Sequence, residues 1–132
     1  IALPSATQNE IEEKGAKNLV KNGCLAISEG ANMPTSPAAY GILSKAGILF
    51  GPAKAANAGG VAVSALEMSQ NAAFDEWTSE KVDSKLDKIM TGIHQQCSDA
   101  AEEYNHKGDL VVGANIAGFI KVANAMMSQG VV

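Results

Sequence analysis

The sequence predicts an α/β fold with three parallel strands and flanking helices, followed by an all-helical C-terminal segment. Two observations predict it. Short apolar runs at Ile1 to Ala6, Cys24 to Ser28 and Ile48 to Phe50 are each followed by a helical stretch. Strands that alternate with helices in this way build βαβ units around a parallel sheet, with right-handed crossovers. After Lys54 the strand signal stops, and apolar residues recur only at helical spacing.

Ile1 to Ala6 reads as a buried strand ended by a turn-like segment. Thr7-Gln8-Asn9-Glu10 has capping-box spacing, which predicts a helix with Thr7 as its N-cap. Glu10, Glu12 and Glu13 come early in that helix and Lys17 and Lys21 late, the order the helix dipole favours. Gly23 stops it. Cys24 to Ser28 is the second strand, and Glu29 to Ser36 is a loop. Ser36 followed by Pro37 starts a second helix, which Gly47 closes. Ile48 to Phe50 is the third strand, ended by Gly51-Pro52. Three more helices are predicted. One runs from about Gly59 to Ala73. The next starts from Thr78 as N-cap and passes through Val82, Leu86, Ile89, Met90 and Ile93 toward Tyr104. The last spans about Val112 to Met127, where Ile116, Phe119, Ile120, Ala123, Met126 and Met127 form a wide apolar stripe.

The chain has 132 residues, 46% of them hydrophobic, and a net charge of −4. That length suits one domain with a real core. Basic residues are scattered singly or in pairs at most, so no nucleic-acid partner is expected. Uncharged runs such as Ala55 to Leu66 fall short of the roughly 20 apolar residues a membrane span needs, so no membrane contact is expected. Cys24 and Cys97 lie far apart with no CxxC, which is not metal spacing. Buried free thiols are the expectation. Ile1 stands where a strand is already under way, which suggests a piece of a longer protein.

In open α/β sheets, ligands bind outside the carboxyl ends of the strands. Here those positions carry SATQN, EGANMP and GPAKAANAGG, which are rich in small residues and amides. Such loops let a ligand approach backbone closely, but turns and caps use the same residues. Thr7 serves as well for an N-cap, and Asn32 for a turn with positive φ. If a helix starts near Gly59, then Asn57, Val61, Ser64 and Met68 fall along one face. Gly59 and Gly60 in its first turn point to close packing, either against the protein itself or against a ligand carboxylate held by Ser64 near the helix N-terminus. Ser64 bonded to a carbonyl one turn back is the purely structural alternative. His94, His106 and the carboxylates of the later helices read as solvated. No Ser/His/Asp set, zinc motif, G-x-G-x-x-G or P-loop is present.

The strings ALPSATQNE, EGANMPTSPAA, KAANAGGVAVSALEMSQN and VVGANIAGFIKVANAMMSQG together resemble the NAD(P)-dependent glutamate dehydrogenases of the small hexameric type. The resemblance covers residues 1–132. It implies a partial Rossmann-like domain, namely the second half of the nucleotide-binding domain. It also implies that a C-terminal helix, from about residue 108 to 132, packs on a first domain outside this chain. That first domain carries the family's catalytic lysine and aspartate. No catalytic residue and no metal ligand is therefore expected here, and the chain alone is expected to be inactive.

The resemblance further implies that Ser64 bonds the γ-carboxylate of glutamate and Val61 lines the same pocket. Asn32 and Asn57 would stand beside the nicotinamide and its ribose, with Ala6, Thr7 and Gln8 along the cofactor. The implied reaction is reversible oxidative deamination of L-glutamate to 2-oxoglutarate and ammonia, with NADP expected and NAD as the alternative. A cytoplasmic homohexamer is the implied assembly, and a monomer or non-native dimer is expected for this chain alone. Ser5 and Ala53 depart from the family, which often has Cys and Gly there. Two other readings stay open: a leucine- or phenylalanine-type dehydrogenase, and a non-catalytic binding module on the same half-domain.

Overall fold

The first helix, α1 (Glu13–Lys21), leads into strand β1 (Ala26–Ser28), and α2 (Pro37–Lys45) connects β1 to strand β2 (Leu49–Gly51). The strands pair in parallel, with Ala26 opposite Leu49, Ile27 opposite Phe50 and Ser28 opposite Gly51. The computed structural model describes residues 1–130; positions 131 and 132, the end of the predicted C-terminal segment, lie outside it. A one-turn helix α3 (Ala53–Ala56), then α4 (Ala58–Ala72), α5 (Ser79–Glu103) and α6 (Leu110–Gln129), complete the all-helical half.

The expected first strand is present in place and direction but not in length. Ala2 forms a parallel bridge to Ile27, donating to the Ala26 carbonyl at 3.0 Å and accepting from the Ser28 N–H at 3.1 Å. The pairing ends there because Pro4 has no N–H to continue it. Instead the Pro4 carbonyl accepts the Gly30 and Ala31 N–H groups at 2.9 and 3.1 Å, which draws the chain into the loop beyond β1. The sheet therefore has two full strands and a third contact at Ala2.

The first helix starts at Glu13 rather than after Thr7. Asn9 sits at φ 58, the left-handed region, which breaks any helix from Thr7. The Asn9 N–H donates to Met33 and the Ile11 N–H to Pro34, so the segment is held extended by the facing loop. Half of the predicted capping box survives as a turn. The Glu10 carboxylate accepts the Ala6 N–H at 3.4 Å and the Thr7 N–H at 3.3 Å.

The other caps form as expected. Ser36 Oγ accepts the Ala39 N–H at 3.3 Å with Pro37 in the first helical position, and Thr78 Oγ1 accepts the Lys81 N–H at 3.3 Å. Gly23 and Gly47 end α1 and α2 at φ 70 and 72. Strand β2 runs one residue later than read, because Gly51 still pairs with Ser28 and Pro52 ends the strand. Helix α6 begins at Leu110, two residues early, because the Asp109 carboxylate caps it by accepting the Val111 and Val112 N–H groups at 3.0 Å each.

Helices α1 and α2 cover one face of the sheet. Ala16, Ile27, Ala39, Leu43 and Ile48 form the buried core there, with Ile11, Leu19, Cys24 and Phe50 around it. On the other face Ile1, Leu3 and Leu49 stay exposed. Helices α5 and α6 pair through small residues, with Cys97, Ala100 and Ala101 against Gly113 and Ala114. A Cβ at Gly113 would collide with the Cys97 carbonyl, so only glycine allows this approach. The C-terminal half of α6 turns Phe119, Val122, Met126 and Met127 to solvent. Among the described residues α6 is the one helix long and apolar enough to cross a membrane, its apolar run being interrupted by the single charge of Lys121. Between α4 and α5, Phe74 is 98% exposed and sits at φ 51.

Candidate functional site

The loops at the carboxyl ends of the parallel strands meet in one place. The first (residues 4–9) bonds to the second (29–36) through Pro4 with Gly30, Pro4 with Ala31, and Asn9 with Met33. Ser5 packs so tightly on Gly30 that a side chain there would collide with the serine hydroxyl. The second loop joins the third (52–57) through two side chains. Asn57 Nδ2 donates to Asn32 Oδ1 at 2.6 Å and to the Ala31 carbonyl at 3.4 Å. Glu29 accepts the Thr35 N–H at 3.2 Å with one oxygen and the Ala53 N–H at 2.8 Å with the other.

Glu29 was not singled out by sequence, yet it is the buried carboxylate that ties these two loops together. Its one sequence signal is position, as a charged residue directly after the apolar run of β1 among otherwise small residues. Asn32 does not occupy the positive-φ position expected of it. Met33 does, at φ 50, which frees the Asn32 amide to meet Asn57. Ala53 needs no positive φ and starts α3 with its N–H on Glu29.

Ala6, Thr7 and Gln8 are exposed on the first loop. Asn57 stands at the N-cap position of α4, but its side chain reaches Asn32 instead of capping the helix. Along the next turns Val61 and Met68 are 72% and 71% exposed, with Ser64 exposed between them. The opposite side of α4 packs on α5, where a Cβ at Gly59 would lie 3.4 Å from Leu86 Cδ1 and 3.5 Å from Met90 Sδ. Gly59 thus serves close helix packing, while Gly60 faces open space. Ser64 Oγ donates to the Gly60 carbonyl at 3.2 Å, the structural alternative foreseen for it. Its oxygen keeps acceptor capacity, and its proton can be redirected by rotation about one bond.

The face carries no titratable side chain, and the perturbed groups lie elsewhere. The Trp77 indole N–H lowers the Asp75 pKa, the Glu80 backbone N–H lowers that of Glu80, and Glu102 raises that of Lys107. Burial raises the Cys97 thiol. Cys24 is half-buried rather than buried, and both cysteines are free. His94 and His106 are exposed. Among the described residues no group of His, Cys, Asp and Glu could hold a metal ion.

Such a wall of small loops and one open helix face offers amide donors and acceptors, hydroxyls and apolar contact, while its Glu29 carboxylate is engaged by backbone N–H groups and its Lys54 amine by Asn115. The family model for glutamate/leucine/phenylalanine/valine dehydrogenase matches residues 1–130. The NADP-specific glutamate dehydrogenase of Salmonella typhimurium is 54% identical over the whole chain, and the NAD(P)-specific glutamate dehydrogenase of Xylanibacter ruminicola is 56% identical over 99% of it. In the crystal structure of Plasmodium falciparum glutamate dehydrogenase, 51% identical, the matched part superimposes with a TM-score of 0.94 over 98% of this chain and 28% of that one. The chain spans about 30% of the length of the curated relatives it matches. By the matched model and these likenesses, the chain belongs to the glutamate/leucine/phenylalanine/valine dehydrogenase family.

Proposed function

We propose that this chain forms one wall of the substrate and cofactor cleft of an NADP-dependent glutamate dehydrogenase. The whole protein would catalyse reversible oxidative deamination of L-glutamate to 2-oxoglutarate and ammonia. The observation that carries this reading is the alignment of exposed Val61 and Ser64 along α4 with half-buried Asn57 at its N-cap, continuous with the loops at the carboxyl ends of the strands. In this reading Ser64 turns its proton from the Gly60 carbonyl to the γ-carboxylate of glutamate, and Val61 lines the aliphatic part of that pocket. Asn32 and Asn57, already bonded to each other, hold the nicotinamide end of the cofactor, with Ala6, Thr7 and Gln8 along it.

The residues fit a nicotinamide cofactor. Small side chains permit close approach, and the Asn32–Asn57 pair offers an oriented amide. When bound, the cofactor supplies the hydride acceptor, and the protein binds and orients. Acid–base chemistry falls to groups beyond this chain. NADP is favoured over NAD because the named relatives at this identity include an NADP-specific enzyme. A cytoplasmic homohexamer, with α6 packed on the rest of the protein, completes the reading.

The test is Ser64→Ala in the full-length enzyme. Loss of a hydrogen bond to a charged group costs about 1–3 kcal/mol, so KM for glutamate should rise roughly 5- to 160-fold. Unchanged KM and kcat would remove Ser64 from the site. Faster turnover of leucine or phenylalanine than of glutamate by the unmodified enzyme would favour those substrates instead.

A further inference from the structure

A cavity of about 580 Å³ lies beside α2, between the second loop, the third loop and the start of α6. That volume falls within the range of small-molecule pockets, roughly 300–1,000 Å³. Its walls are apolar, from Met33, Pro37, Tyr40, Phe50, Pro52 and Val111. The Tyr40 and Phe50 rings meet edge to face with centroids 5.0 Å apart. No residue of α4 lines it, but Asn32, assigned above to the cofactor, does, so the cavity borders that site without reaching the Val61–Ser64 face.

The polar residues of the lining are partly engaged. Each oxygen of buried Glu29 accepts one backbone N–H, and Asn32 Oδ1 accepts from Asn57. Donors with spare capacity line the cavity as well. Lys54 gives one N–H to Asn115 Oδ1 and has two more. Asn32 keeps its amide NH2. Thr35 is only 6% exposed, and its Oγ1 is buried without a partner among the described residues. A buried hydroxyl left unmade is costly and calls for a partner.

We propose that this cavity binds a small aryl-substituted carboxylic acid as its anion. The ring would lie against Tyr40, Phe50 and Pro52, and the carboxylate would take the donors of Thr35 and Lys54. The proposal rests on Thr35, Lys54 and the aromatic wall, none of which the reaction assigned above uses.

Calorimetric titration of the full-length protein with 3-phenylpropionate, and with 3-phenylpropanol as its neutral counterpart, tests it. The acid should bind with Kd below about 1 mM and the alcohol at least about tenfold more weakly. Lys54→Met should weaken the acid by about tenfold and leave the alcohol unchanged, and Thr35→Val should also weaken the acid. Should Thr35→Val fail to fold, Val111→Trp fills the cavity and should abolish binding of both compounds, with circular dichroism confirming the fold. No binding up to about 10 mM would overturn the proposal, as would binding indifferent to both Lys54→Met and Val111→Trp. A soaked crystal with only an ordered water on Thr35, or with another segment of the protein filling the cavity, would overturn it equally.

Discussion

Glu29 and Cys97 show what burial does to single residues in this chain. Glu29 is accommodated because both oxygens accept backbone N–H groups, one on each of two loops. Glu29→Gln keeps the shape but turns a donor toward one of those N–H groups. The expected loss is about 1–3 kcal/mol of stability, read as a lower urea midpoint. Cys97 has no such compensation, and burial raises its pKa. The folded state therefore holds the thiol proton more tightly than the unfolded chain. This contribution is fully present below the unfolded value of about 8.5 and is lost as pH rises through the higher folded value. Urea midpoints measured across that alkaline range should fall, and Cys97→Ala should flatten the decline. Half-buried Cys24 should react with a thiol reagent before Cys97 at pH near 8.

At the scale of elements, the helix pair α5–α6 depends on a single missing side chain. Gly113→Ala forces the two backbones apart at the Cys97 carbonyl, and overpacking of this kind costs about 1–3 kcal/mol. A lowered melting temperature would register it, whereas Gly118→Ala on the same helix, where nothing lies within reach, should be neutral or stabilising. The elements also show what sequence can and cannot carry. Ser36-Pro37, Thr78, Gly23 and Gly47 act within four residues of themselves, and each cap or stop was legible. The Thr7 capping box was legible too, but a longer-range contact overrode it. Asn9 and Ile11 bond to Met33 and Pro34, and that pairing outcompetes the local helix. The same limit applies to the site. The helical face with Val61 and Ser64 follows from spacing alone. The Asn32–Asn57 bond and the Glu29 tie join residues some two dozen positions apart, and no local pattern announces them.

The whole molecule is finished on one side only. One face of the sheet is covered by α1 and α2, while Ile1, Leu3 and Leu49 on the other face, and Phe119, Val122, Met126 and Met127 on α6, remain exposed. Apolar surface of this extent invites association. Expressed by itself, the chain should show concentration-dependent self-association in sedimentation velocity, and Phe119→Glu with Met126→Glu should reduce it without loss of helix content.

The turn at Phe74 has a further consequence. An aromatic side chain 98% exposed, on backbone at φ 51 between two helices, is the kind of tip that chymotrypsin cuts first. A nick there would leave the strands, all three loops and the Asn57–Ser64 stretch on the N-terminal product, and α5 with α6 on the other. Brief digestion thus offers a way to ask whether the two products stay associated after the cut, and which of them carries the nucleotide binding proposed above.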